Sequence, residues 1–167
     1  NPFIALALID DPEIQRKAAE IYANKEYPQS HVLSKIERYP KHKKIRIGYF
    51  SQDFVEHPVS HLTAELYEMH DRDRFEIHAF SFGPDTEDEM TLRIKKGVDH
   101  FHDVRKMLHK DAAMLARSLE IDIAVDLGGY TQNSKTGIFA MLAAPIQISY
   151  IGYPGTMGAK YYDYLVA

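Results

Sequence analysis

From Lys44 onward the chain alternates short apolar runs with amphipathic stretches, and this rhythm constrains its fold more than any other feature. The run Ile121-Asp122-Ile123-Ala124-Val125-Asp126-Leu127 is nearly continuous in apolar side chains, as a strand is when both faces of its sheet are covered. Similar runs occupy Ile45–Phe50, Phe75–Phe82 and Ile146–Ile151, with a fainter one near His100–Val104. Helical spacing falls between them, over about 60–70, 88–96, 109–119 and 134–142. Alternating βα units join parallel strands by right-handed crossovers. The pattern therefore predicts an α/β fold with a doubly wound, mostly parallel, Rossmann-like sheet. At 167 residues, 45% of them hydrophobic, the chain can bury the core of one such domain with an appendage.

The appendage lies at the amino end. Ala5, Leu6, Leu8, Ile9, Ile14, Ala18, Ala19 and Ile21 recur at roughly helical spacing. Asp10-Asp11-Pro12 interrupts them, supplying an N-cap and a proline at the first helical position. A short helical piece followed by a longer helix over about 12–25 is expected. Tyr27-Pro28 and the polar residues after it form a connector, so residues 1–43 read as a helical connector and 44–167 as the sheet domain. No second copy of a helical repeat is visible in the residues themselves.

Charge and composition exclude several classes of partner. Lys+Arg number 20 and Asp+Glu 24, for a net charge of −4, so neither nucleic acid nor an anionic membrane is an expected partner. The one basic cluster, Lys41-His42-Lys43-Lys44, reads as a solvated linker. Cysteine is absent, which rules out disulfides and thiolate metal sites and fits a reducing compartment. No apolar run approaches ~20 residues and no signal-peptide pattern occurs, so a cytoplasmic location is expected. The sequence opens at Asn1 and stops inside the apolar run Leu165-Val166-Ala167, so a continuation at both ends is expected.

Ligands of doubly wound sheets bind beyond the carboxyl ends of the strands, which singles out the segments 51–60, 127–133 and 151–158. In the first, SQDFVEHPVSH, Asp53 lies three residues past the strand and His57-Pro58 precede Ser60, which reads as the N-cap of the next helix. A carboxylate and an imidazole beside a helix amino terminus can move a proton and hold an anion. Asp and His are also ordinary turn formers. The second segment, Leu127-Gly128-Gly129-Tyr130-Thr131, has paired glycines that permit close backbone approach. It lacks both the G-x-G-x-x-G of dinucleotide sites and the G-x-x-x-x-G-K of phosphate-binding loops. The third, Ile151-Gly152-Tyr153-Pro154-Gly155-Thr156-Met157-Gly158, is too rich in proline and apolar residues for a flexible loop and reads as a shaped wall. Elsewhere, His100 and His102 share one face of an extended segment, but with Asp99 and Asp103 they form no recognised ligand set, so no metal is expected. His70 and His109 read as surface or cap residues, and Tyr161, Tyr162 and Tyr164 as packing residues at the sheet edge.

Taken together, "KIRIGYFSQDFVEHPVSHL", "DIAVDLGGYT" and "APIQISYIGYPGTMGAKYYDYLVA" resemble the amino-terminal lobe of the catalytic region in protein O-GlcNAc transferases and the related SPINDLY proteins. The ordered series D-F-x-x-H-P, G-Y-T, A-P-I-Q and G-Y-P-G-T is far more specific than any one piece, and it runs from about Lys44 to Ala167. "NPFIALALIDDPEIQRKAAEIYA" is similar to the stretch that joins a tetratricopeptide array to that region in bacterial members. The resemblance implies the acceptor-side lobe of a two-lobed GT-B glycosyltransferase, with the donor-binding second lobe outside this chain.

It further implies an inverting transfer of a sugar from a nucleotide-sugar donor to protein Ser/Thr hydroxyls, with no metal and no other cofactor. Asp53 matches the family's proton acceptor and His57 the histidine that positions substrate and can share the proton; either can be the base. Tyr130 and Thr131 match the G-Y-T loop near the sugar and phosphates, and Ile151, Gly152 and Pro154 the wall around the sugar. Two departures bear on the donor. Val59 stands where animal enzymes have threonine, and Gln132 where they have lysine. UDP-GlcNAc and, as in SPINDLY relatives, GDP-fucose are both candidate donors. The expected partners are the nucleotide sugar, a protein acceptor and the second catalytic lobe. The alternative is a non-catalytic relative that binds a protein or a nucleotide sugar.

Overall fold

The computed structural model describes residues 1–167. Six strands form one sheet: β1 (Ile45–Ser51), β2 (Phe75–Ser81), β3 (His100–Asp103), β4 (Ile123–Asp126), β5 (Ile146–Tyr150) and β6 (Tyr164–Val166). Their order is β3-β2-β1-β4-β5-β6, and every pairing is parallel. The doubly wound sheet read from the sequence is therefore present, wholly rather than mostly parallel.

Six helices accompany it: α1 (Pro2–Leu8), α2 (Pro12–Glu26), α3 (Pro58–Met69), α4 (Glu89–Gly97), α5 (His109–Ser118) and α6 (Gly137–Ala140). Side chains alternate across the strands, so each face of the sheet needs its own cover. Ile47, Tyr49, Ile77, Ala79 and Val125 pack with Ala64 and Tyr67 of α3 and Met90 and Ile94 of α4. On the other face Phe50, Phe80 and Ala124 pack with Ala112, Ala113 and Ala116 of α5 and Ile138 and Phe139 of α6. The rings of Phe50 and Phe80 stack at 4.3 Å. This double cover is why β1 and β2 read as largely apolar runs.

The amino-terminal helices begin where the sequence places them, with the Asp11 carboxylate accepting from the amides of Glu13 and Ile14 and Pro12 opening α2. Ala19 and Ala23 of α2 are buried against Tyr130, Tyr153 and Met157, and the Tyr161 hydroxyl donates to the Tyr27 carbonyl at 3.0 Å. The helical segment is thus seated on the loops at the carboxyl rim of the sheet. No helix is long and apolar enough to cross a membrane.

Three elements differ from expectation. The helix expected over 134–142 shrinks to α6, with Asn133 and Leu142 in left-handed backbone conformations in the flanking turns. The strand β6 is only three residues long and exposed, too short for periodicity to register. Ile121 and Leu127 are fully buried but flank the β4 ladder, leaving a strand shorter than its apolar run.

Candidate active site at the carboxyl rim

Phe50 of β1 pairs with Asp126 of β4, and Asp126 pairs with Ser149 of β5, so the chain leaves these three strands side by side at one rim. Strand order reverses between β1 and β4, and this switch point is where such sheets open a crevice.

The first loop is pinned at both ends. The buried Ser51 hydroxyl accepts from the Asp53 amide at 2.9 Å, and the Ser60 hydroxyl donates to the Asp53 carbonyl. Phe54 is buried, with its carbonyl held by the Thr91 hydroxyl at 2.9 Å. The cap of α3 is His57, not Ser60 as the sequence suggested. A proline is tolerated at the first helical position. Pro58 takes that place, so the cap falls on the residue before it and Ser60 sits inside the first turn.

The cap also fixes the imidazole. His57 Nδ1 accepts from the Val59 amide at 3.2 Å, so in the neutral ring the proton resides on Nε2. Asp53 Oδ2 lies 3.8 Å from that Nδ1, beyond hydrogen-bond distance. The Asp53 side chain is 13% exposed and that of His57 42%. Burial pushes the Asp53 carboxyl above the ordinary aspartate range, and neighbouring His57 pulls the other way. A shielded carboxylate with a raised pKa, open to solvent on one side, is equipped to accept a proton.

The second loop is organised from below by Asp126, which is 3% exposed. Its Oδ1 accepts from the amides of Gly128 and Gly129 at 2.9 and 3.0 Å, and its Oδ2 accepts from the Tyr162 hydroxyl. Burial raises this carboxyl and the three donors oppose that rise. The Thr131 hydroxyl donates to the Gly128 carbonyl at 2.8 Å. Gln52 Nε2 donates to the Gln132 carbonyl at 2.6 Å and so ties the first loop to the second.

Tyr130 turns inward. Its ring packs 5.0 Å from Tyr22 and 5.4 Å from Tyr153, and its hydroxyl donates to the Met157 carbonyl at 2.6 Å. The side chain therefore braces the second loop on the third and on α2. Tyr130→Phe is expected to lower stability by about 1 kcal/mol, the net worth of that bond, with the turnover of the full-length protein within about twofold of wild type. Thermal denaturation and steady-state rates on the same variant separate these outcomes.

The third loop interlocks with the second. Ile151, just past β5, has φ +57°, and Gly152 lies so close to the Leu127 carbonyl that a Cβ there would fall 1.8 Å from its oxygen. Tyr153 is buried beside Gly129 and Pro154 is exposed. Asp53, His57, Thr131, Ile151, Gly152 and Pro154 thus belong to adjoining loops of one rim, while the Tyr130 side chain lies beneath it. Sequence reading missed Gln52 and Asp126. An acid ending an apolar strand before two glycines was a usable signal for Asp126. Its partner Tyr162 lies 36 residues away and gave none.

Comparison with known proteins places this arrangement. The profile of Glycosyl transferase family 41 matches residues 19–167. The chain is 39% identical, over 99% of its length, to an Arabidopsis thaliana protein named as a probable UDP-N-acetylglucosamine–peptide N-acetylglucosaminyltransferase SEC, of which it covers 18%. It is 34% identical, over 74% of its length, to the Caenorhabditis elegans UDP-N-acetylglucosamine–peptide N-acetylglucosaminyltransferase, of which it covers 11%. A solved structure of a mutant Thermobaculum terrenum O-GlcNAc transferase superposes with a TM-score of 0.86 at 29% identity, covering 99% of this chain and 32% of that one. The chain thus spans less than a fifth of these curated relatives and about a third of the solved one. Matched from residue 19 through the whole of its sheet domain and sharing that backbone, it belongs to glycosyl transferase family 41.

Proposed function

We propose that this chain is the acceptor-side half of an inverting protein glycosyltransferase that moves N-acetylglucosamine from a nucleotide-diphosphate donor to Ser/Thr hydroxyls. The observation that carries this is the meeting of the Asp53–His57 pair with two glycine-bearing bends at the switch point of the sheet. A hydroxyl is a weak nucleophile at neutral pH and must lose its proton as it attacks. The acceptor oxygen forms the new bond to the anomeric carbon from the face opposite the diphosphate, whose oxygen takes the electrons of the broken bond. The acceptor proton passes to Asp53, directly or through one water. His57, fixed by its cap with a protonated Nε2, orients the sugar or the acceptor. Thr131, Ile151, Gly152 and Pro154 shape the wall around the sugar, and Tyr130 holds that wall in register.

Charge on the departing diphosphate calls for cations, and this rim holds few: Gln132 is neutral. A second lobe would supply them, as the small share of each relative covered here supports. Positioning by two walls carries much of the barrier reduction. Residues 1–167 alone are therefore expected to give no measurable transfer, and the full-length protein to label Ser/Thr peptides from UDP-GlcNAc. Product mass spectrometry with UDP-GlcNAc and GDP-fucose in parallel decides the donor. Donor binding without product in the full-length protein would identify a non-catalytic relative instead.

A further inference from the structure

Strands β2 and β3 pair with His78 opposite His100 and Phe80 opposite His102. Alternation then sets Glu76, His78, His100 and His102 on one face of the sheet. Glu76 Oε1 lies 3.1 Å from His78 Nε2 and 3.1 Å from His100 Nε2, and the three ligand atoms fall within 4.8 Å of one another. His78 is 3% exposed, whereas the His100 side chain is 50% exposed and opens the cluster to solvent. The acids next in sequence are committed elsewhere. Asp99 holds the Ile77 amide and Arg72, and Asp103 holds Arg105.

We propose that Glu76, His78 and His100 form a binding site for a divalent transition-metal ion, zinc being the best match, which ties the edge strand β3 to β2. One carboxylate and two imidazoles, with an open position toward solvent, make up a known zinc ligand set. Zinc–ligand bonds of about 2.0–2.2 Å set tetrahedral ligands roughly 3.4 Å apart, so small side-chain rotations seat an ion among these atoms.

The surrounding groups fit this role. His78 Nδ1 lies 3.0 Å from His102 Nε2. With Nε2 on a metal, the His78 proton moves to Nδ1 and is donated to His102, the kind of outer hydrogen bond that orients a ligating imidazole. Without metal, His78 and His100 both donate to Glu76, and His102 donates to His78, so the network is satisfied in either state. The nearby Arg46 guanidinium lies 3.6 Å from the other oxygen, Glu76 Oε2, and also pairs with Glu120 at 3.0 Å, which leaves Oε1 for the ion.

The test is calorimetric titration of Zn2+ into the metal-stripped full-length protein. One site per chain is expected at this cluster. His100→Ala and Glu76→Gln, at partly exposed positions that the fold tolerates, abolish it. His102→Ala weakens it about 10- to 100-fold, and His31→Ala, at an exposed histidine outside the cluster, leaves it unchanged. Zn2+ should also raise the melting temperature of wild type but not of His100→Ala. Absence of binding, or binding that survives His100→Ala and Glu76→Gln unaltered, overturns the proposal.

Discussion

Asp53→Asn in the full-length protein is expected to cut the rate of sugar transfer by about 10²- to 10⁴-fold, the range set by loss of a positioned general base. The substitution keeps shape and volume, and the Asp53 backbone bonds to Ser51 and Ser60 remain, so folding should be spared. The pH profile gives a second, independent sign. The working form of Asp53 is the carboxylate, so activity rises as pH climbs through its pKa and then levels off. Burial raises that pKa, which puts the acid limb at a higher pH than an ordinary aspartate would give. Asp53→Asn should erase this limb along with the rate. His57→Ala removes the opposing pull on the carboxyl and should move the limb to still higher pH. It also strips the side-chain cap from α3, at a cost of about 1 kcal/mol. A normal rate and an unchanged acid limb in Asp53→Asn would remove Asp53 from the chemistry.

The sheet was legible because the central stretches of β1, β2 and β4 are buried on both faces, and such stretches announce themselves as apolar runs. The same logic singled out the candidate loops, since strand ends are read directly from where those runs stop. Legibility failed where a role depends on partners remote in sequence. His57 is visible as a candidate, but Ser60, the commoner cap type, masks its capping role until Pro58 is seen to open α3. The resemblance puts Tyr130 near the sugar and phosphates; its ring lies among Tyr22 and Tyr153, neighbours that only the packed α2 and third loop bring near. Likewise His100 and His102 looked ligand-poor in their own strand. Glu76 and His78, 24 residues earlier, complete the cluster only once β2 and β3 pair in register.

The third loop offers the sharpest test of how the rim is held together. Gly152→Ala places a methyl group where its carbon would sit 1.8 Å from the Leu127 carbonyl oxygen and 3.5 Å from the Gly128 Cα. Both neighbours are backbone, and Leu127 is itself fully buried, so neither can swing aside. Overpacking against a fixed wall costs about 3 kcal/mol, and at this chain length that lowers the melting temperature by roughly 6–12 °C. The relief route is to push the third loop off the second, which parts the sugar wall from Asp53. A displacement of about 1 Å at a reacting centre costs on the order of 10²-fold in rate. Gly155→Ala is the matched control. Its new methyl group would meet Leu6 Cδ1 and the Tyr153 hydroxyl, each at 2.9 Å, and these are side-chain ends rather than backbone, so a shift of a few tenths of an ångström relieves them. Gly155→Ala should therefore melt within about 3 °C of wild type and keep most of its activity. Equal losses in the two variants would mean that the rim is not keyed by the close approach of Gly152 to the end of β4, and the loops would then owe their register to Asp126, Tyr130 and the Gln52–Gln132 bond.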